Sequence, residues 1–203
     1  LASAMLTPGD IEAVREWIEA FGLRAVVVPD IGDSLDGHLT DAEYSALTLG
    51  GTPRSVKEIM QAFGCSPILR PNGRVRYVGG RYSSFVGNGQ IKGSNLVVHH
   101  TIPREWATRL FRVPASELDD MPGFLMKEYL HVGDDLQGAK AFHAVFDNIL
   151  ERELVSLNGD VTLISKSKMR SILSESYREW GGEELGGSIW NAADAWLELK
   201  GRL

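Results

Sequence analysis

The sequence predicts an α+β fold, with a short α/β segment followed by a mostly helical domain that contains a small β element. Three observations lead to this prediction. An amphipathic helix and a short strand that reads as buried on both faces, which together make half of an α/β unit, occupy the start of the chain. Residues 66–98 are rich in β-forming and turn residues. From Ile102 onwards, apolar residues recur at helical spacing.

The first helix is predicted from its N-terminal signals. Thr7 can cap it and Pro8 suits the first helical position, while Gly22 ends it. Residues 24–30 then read as a short strand that is buried on both faces. The apolar face of this first helix consists of Ile11, Val14, Ile18 and Phe21. After the strand and a polar loop, residues 50–52 introduce a second helix.

A hairpin-like pattern follows in residues 66–98. Asn72-Gly73 is a turn signal, and residues 74–78 alternate as a strand does. Gly79-Gly80 separates them from a second run of β-formers over residues 82–86, and residues 96–98 form another short apolar run. Because the composition changes near residue 64, we expect two units, residues 1–64 and residues 65–203.

The rest of the chain is predicted to be mainly helical. Pro103 suits a helix start, and a long helix is expected after Asp134-Asp135. Residues 161–164 are either a strand or the lead-in to the next helix, which spans residues 165–177. Gly181-Gly182 should interrupt that helix before a last one begins. The Trp and Leu side chains at helical spacing are interpreted as core: Trp106, Leu110, Trp190, Trp196, Leu197 and Leu199.

Composition and charge limit the classes of protein to be considered. The chain has 203 residues, 24% charged and 43% hydrophobic, which is typical of a globular protein. No apolar run approaches the ~20 residues of a membrane span. The single cysteine excludes an internal disulfide framework. Net charge is −6, yet residues 61–98 contain five basic residues and no acidic one. This segment is either a solvated hairpin or a phosphate-binding surface, for which we single out Arg74, Arg76, Arg81 and Lys92.

Four of the five histidines lie between residues 99 and 143. His99 and His100 follow the apolar run 96–98, and His131 and His143 come later. Neutral imidazoles are good ligands for zinc or nickel, and a neighbouring histidine can act as a base near neutral pH. The sequence therefore predicts a divalent metal site, with zinc, nickel or magnesium as the ion. The alternative is that one ring of the pair is buried and hydrogen-bonded while the other is solvated.

Two stretches resemble known families. The first comprises LTPGDIEAVREWIEAFGLRAVVVPDIGDSLDGHL and, further on, LTLGGTP. It is similar to a segment of the nitrogenase component-1 family, most closely the scaffold subunit for assembly of the iron–molybdenum cofactor. The resemblance covers about the first sixty residues. It implies a fragment of a Rossmann-like α/β layer and a partner α/β subunit.

The second stretch, NLVVHHTIPREW, resembles the His-His signature of the HNH and endonuclease VII superfamily, in the branch of bacterial toxin nucleases. This resemblance implies that His99 is a metal ligand and His100 the general base. His131 and His143 would then complete the metal shell or grip the phosphate.

The main functional prediction is a metal-dependent endonuclease, a bacterial toxin domain with nucleic acid as substrate and an immunity protein as partner. The alternative is a non-catalytic scaffold or binding module of the nitrogenase-assembly type, which pairs with an α/β subunit. A third hypothesis is a composite chain whose N-terminal piece is only a structural appendage. The sequence leaves the location open between the cytoplasm and a delivered bacterial effector.

Overall fold

The computed structural model describes residues 26–27, 65–69, 75–85, 96–132 and 141–203. These residues form an α+β fold, which confirms the predicted fold class. The strands are β1 (Val26–Val27), β2 (Cys65–Leu69), β3 (Val75–Arg81), β4 (Leu96–His100) and β5 (Pro122–Lys127). The α-helices are α1 (Tyr82–Phe85), α2 (Arg104–Arg109), α3 (Glu128–His131), α4 (Phe142–Val155) and α5 (Lys166–Leu199), with 3₁₀-helices at Ala115–Asp120 and Val161–Leu163.

The strands of the described residues make one sheet with the order β1-β2-β3-β5-β4. β1 runs parallel to β2, and the remaining neighbours are antiparallel. β5 lies between β3 and β4, and its residues from Pro122 to Met126 are all buried. In the β4–β5 ladder, His99 lies opposite Phe124 and His100 opposite Gly123. The sheet therefore places the histidine pair at the end of β4, next to the buried strand β5.

The core lies between the sheet and the two long helices. Phe124 and Met126 of β5 belong to the same buried cluster as Phe142 of α4 and Tyr177 of α5. Of the Trp and Leu residues predicted as core, Trp106, Trp190, Trp196 and Leu197 are buried and Leu110 is partly buried against the cluster, while the burial of Leu199 lies outside what the structure describes. No helix in these parts of the chain is long and apolar enough to cross a bilayer.

Helix α5 is bent at the glycine pair that the sequence predicted as a break. Gly182 has φ 75° and ψ 174°, outside the helical region, and helical hydrogen bonding resumes after it. This conformation is accessible to glycine at little cost. The bend turns the second half of α5 back towards Tyr177, which lies in the first half.

Two local predictions differ from the structure. Residues 82–86 were expected to form a strand, but Tyr82–Phe85 is a helical turn. The chain leaves the sheet after Arg81, and the Tyr82 N–H donates to the carbonyl oxygen of Met121 at 3.0 Å. The long helix expected after Asp134-Asp135 begins at Phe142 among the described residues.

Several predictions fall on the N-terminal part. The helix over residues 8–21 and the second helix lie outside the described residues, whereas the strand expected over residues 24–30 corresponds to β1, Val26–Val27. β2 and β3 flank the Asn72-Gly73 turn signal as an antiparallel pair. The division at residue 64 stays a prediction, although β1 pairs with β2 across it.

Candidate metal centre

His99 is the most buried histidine of the described chain, with 1% of its surface exposed. The β-branched residues Val97 and Val98 favour the strand that carries it. Its ring lies edge-on to Phe142, with 4.7 Å between ring centroids, and to Tyr177, at 6.1 Å. His99 therefore faces the helical layer, where water has little access.

His131 and His143 lie near His99 on two other elements, α3 and α4. His131 is the last residue of α3, and His143 lies in the first turn of α4. The Nε2 atoms of the two rings are 3.1 Å apart and share one hydrogen bond. Both side chains are half-buried, so the group is closed on the His99 side and reachable from the other.

These three histidines form a group with the dimensions of a metal site. One possible ligand atom from each of His99, His131 and His143 lies within 4.8 Å of the other two. For a tetrahedral ion with bonds of ~2.0–2.1 Å, two nitrogen ligands are ~3.3 Å apart. The His131–His143 separation is already close to that value, and His99 needs only a modest approach. The group can therefore hold a metal ion.

The protonation state also suits metal binding. Burial, and then repulsion from His131 and His143, holds the pKa of His99 well below its ordinary value. Burial lowers the pKa of His131 to about 4 and lowers the pKa of His143, which Asp147 partly opposes. At neutral pH all three rings are therefore uncharged, which is the form that donates a lone pair to a metal.

A buried tyrosine completes the surroundings of His99. The Tyr177 hydroxyl lies 2.8 Å from His99 Nε2 and donates to the carbonyl oxygen of Thr101 at 2.6 Å. In the sequence, Tyr177 stands out only as the end of a predicted helix. A signal was nevertheless present, because a tyrosine on an apolar helix face needs a buried partner for its hydroxyl.

His100 lies outside the three-histidine group. Its ring stacks on Tyr82, with 3.6 Å between centroids and 19° between planes. Its Nε2 atom makes no hydrogen bond to the described residues and is 4.0 Å from Asp119 Oδ1. Burial and the nearby Arg104 lower the pKa of His100 to about 4. Its assignment as a general base stays a prediction.

The four basic residues singled out for phosphate binding remain a prediction as a surface. Arg76 and Arg81 lie in β3, and Arg74 and Lys92 fall outside the described residues. Their assignment depended on a nucleic-acid substrate.

Comparison with known proteins bears on the segment that resembles nitrogenase proteins. A protein of Klebsiella pneumoniae named nitrogenase iron-molybdenum cofactor biosynthesis protein NifN is 46% identical over 67 residues, which are 32% of this chain and 14% of the relative. NifN of a Nostoc strain is 53% identical over 66 residues, which are again 32% of this chain and 14% of the relative. NifN of Rippkaea orientalis is 54% identical over 52 residues, 26% of this chain and 11% of the relative. This chain thus spans about one seventh of the first two relatives.

These findings confirm the nitrogenase-related part of the sequence prediction. No family model and no solved structure matches the chain. The resemblance to the HNH and endonuclease VII superfamily therefore has no support from these comparisons.

The predicted function is wrong in its main form. The matched relatives are named as cofactor biosynthesis proteins, so the predictions of an endonuclease, a hydrolase and a toxin domain are overturned. A nucleic-acid substrate and an immunity protein as partners are overturned with them. The physical reason for the error is that a histidine cluster specifies affinity for a metal and not the reaction performed there.

Proposed function

We propose that the protein is a non-catalytic metal-binding module that takes part in assembly of the iron–molybdenum cofactor. The observation that carries the proposal is the group of His99, His131 and His143, whose ligand atoms lie within 4.8 Å of one another. The similarity of about a third of the chain to NifN supplies the biological setting.

The ligand set selects the class of metal. Three imidazoles suit borderline divalent ions such as zinc or nickel, whereas magnesium requires oxygen ligands in an octahedral arrangement. We therefore assign the site to a borderline ion and remove magnesium from the three ions that the sequence left open. Three protein ligands also leave a position to which water or another donor can bind.

Calorimetric titration of the metal-free chain with zinc, nickel and magnesium tests the proposal. We expect one zinc or nickel ion per chain and no binding of magnesium. His143→Ala removes a ligand and should weaken zinc binding by more than the ~10–100-fold loss typical of an outer-shell partner. His100→Ala is the matched control, since it removes a neighbouring histidine outside the group, and it should bind zinc as the wild type does.

The setting in cofactor assembly is tested by co-purification with an α/β scaffold subunit of the nitrogenase-assembly type. The full chain should bind that subunit, and a chain lacking residues 1–60 should not. Equal zinc affinity of the wild type and His143→Ala would refute the metal site. Equal capture of the full and shortened chains would refute the scaffold association.

A further inference from the structure

We propose that Tyr177 is a positioning residue, which fixes the tautomer and orientation of His99 so that Nδ1 is presented to the metal. This inference rests on the proposed metal site and adds a residue from α5 to a group otherwise built from β4, α3 and α4.

The direction of the hydrogen bonds follows from counting protons. The Tyr177 hydroxyl has one proton, and it donates that proton to the Thr101 carbonyl oxygen at 2.6 Å, because a carbonyl can only accept. The contact of 2.8 Å between Tyr177 and His99 Nε2 must then run the other way, with Nε2–H as donor. A neutral imidazole carries one N–H, so the lone pair of His99 is on Nδ1.

The acceptor end of this chain of hydrogen bonds is held in place. Thr101 is fully buried, and its hydroxyl and its backbone N–H both donate to the carbonyl oxygen of Pro122, at 2.8 Å and 3.2 Å. Pro122 begins β5. The carbonyl that receives the Tyr177 proton is therefore fixed to the central part of the sheet.

The tyrosine itself has little freedom to reorient. Its side chain is fully buried, and its ring stacks on Phe142 with 4.4 Å between centroids and 28° between planes. Burial raises the pKa of Tyr177 well above its ordinary value, so the hydroxyl keeps its proton. The Tyr177 hydroxyl and the Nε2 atom of His99 each have a hydrogen-bond partner within the core.

The consequence for the metal site is a choice between two tautomers. In most metal-binding histidines the nitrogen that does not bind metal donates to a fixed acceptor, which orients the ring and raises its basicity. Tyr177 provides that acceptor for Nε2 of His99. Without it, a buried N–H would lack a partner, and a shift of the proton to Nδ1 would block the lone pair that faces the metal.

The test uses the full chain, labelled with ¹⁵N and free of metal. A long-range ¹H–¹⁵N spectrum distinguishes the two neutral tautomers, and the His99 signals are assigned by their loss in His99→Gln. We expect the wild type to have its proton on Nε2. An Nδ1–H tautomer in the wild type would overturn the inference without any variant of Tyr177 having to fold.

Tyr177→Phe then removes only the hydroxyl. We expect the Nε2–H tautomer to lose its dominance and zinc affinity to fall ~10–100-fold. Ser176→Ala is the matched control, because Ser176 is fully buried in the same helix and its hydroxyl donates along that helix to the Ile172 carbonyl oxygen at 2.6 Å. It should keep the wild-type tautomer and affinity.

The outcomes separate the two claims. If the wild type binds no zinc, the proposed function fails, and the positioning role fails with it. If the wild type binds zinc and Tyr177→Phe binds it equally well with an unchanged tautomer, the metal site stands and the role of Tyr177 is overturned. A loss of affinity shared by Ser176→Ala would mark a packing effect and would also overturn it.

Discussion

The bend in α5 offers a sharp test of how Tyr177 is held, through the substitution Gly186→Ala. A Cβ atom added at Gly186 would overlap the carbonyl oxygen and carbon of Tyr177 and lie 3.0 Å from the backbone nitrogen of Arg178. These atoms are backbone, so no side-chain rotation can relieve the overlap. The two halves of α5 must separate, and Tyr177 must move with its half.

The matched control is Gly187→Ala, at the next position of the same helix. Its added Cβ would meet the carboxylate end of Glu183, at 3.2 Å, and the guanidinium of Arg178, at 3.6 Å, and both are the ends of flexible side chains that can move away. A Gly→Ala substitution in a helix raises the free energy of unfolding by up to ~1 kcal/mol when there is room for the added Cβ. Overpacking costs ~1–3 kcal/mol or more.

The gain in helix propensity applies to both substitutions, so the two variants should differ in their free energies of unfolding by the overpacking cost, about 1–3 kcal/mol, with Gly186→Ala the less stable. For a domain of this size, that corresponds to roughly 2–12 °C in Tm. Calorimetry of the two metal-free variants measures the difference. Zinc affinity should fall only for Gly186→Ala, since only that change displaces Tyr177 from His99. If the two variants have the same Tm, the close approach of Gly186 to Tyr177 is refuted.

Two further predictions concern acid stability and helix capping. His99 has a lowered pKa in the folded protein, so below about pH 6.5 the unfolded chain binds a proton that the folded chain excludes. For this ring, the free energy of unfolding of the metal-free protein should fall by up to about 1.4 kcal/mol per pH unit below that point. Urea unfolding midpoints from pH 7 to 5, with a chelator present, measure the loss. Midpoints that do not change with pH would contradict the buried neutral imidazole. Ser165 caps α5 by accepting from the Lys168 N–H at 3.1 Å. Ser165→Ala should cost ~1 kcal/mol in denaturant unfolding, whereas the exposed Ser167→Ala should stay within about 0.5 kcal/mol, and equal losses would argue against the cap.

The fold class followed from the sequence because periodicity and turn residues are local signals. Helix α5, its start at Ser165 and its bend at Gly182 were all marked by such signals. Strand β5 was not, because Pro122 and Gly123 are typical of turns. It becomes a strand through pairing on both sides with β3 and β4, which is tertiary information. Proline is tolerated there because it occupies the first position of the strand.

The site was predictable in its residues but not in its geometry. The sequence singled out His99, His131 and His143, and the structure brings these three within ligand distance. The residue pattern alone did not show which of His99 and His100 joins the group; only the resemblance to the HNH and endonuclease VII superfamily assigned His99 to the metal and His100 as the base. Side chains alternate along a strand, so adjacent residues face opposite sides. His99 contacts Phe142 and Tyr177, whereas His100 stacks on Tyr82.

The same geometry explains why the reaction could not be inferred from the site. Three neutral imidazoles with a further position open are compatible with a metal that activates water and equally with a metal that is held or passed on. The ligands come from β4, α3 and α4, and Tyr177 links them to α5, so a bound ion would connect four elements of the fold. Any ion that binds only the folded chain stabilises it, by about 2.7 kcal/mol at a hundredfold excess over Kd. A site of this kind can serve a binding module through coupling between metal and fold, with no catalytic step required. The similarity to NifN favours that role over hydrolysis.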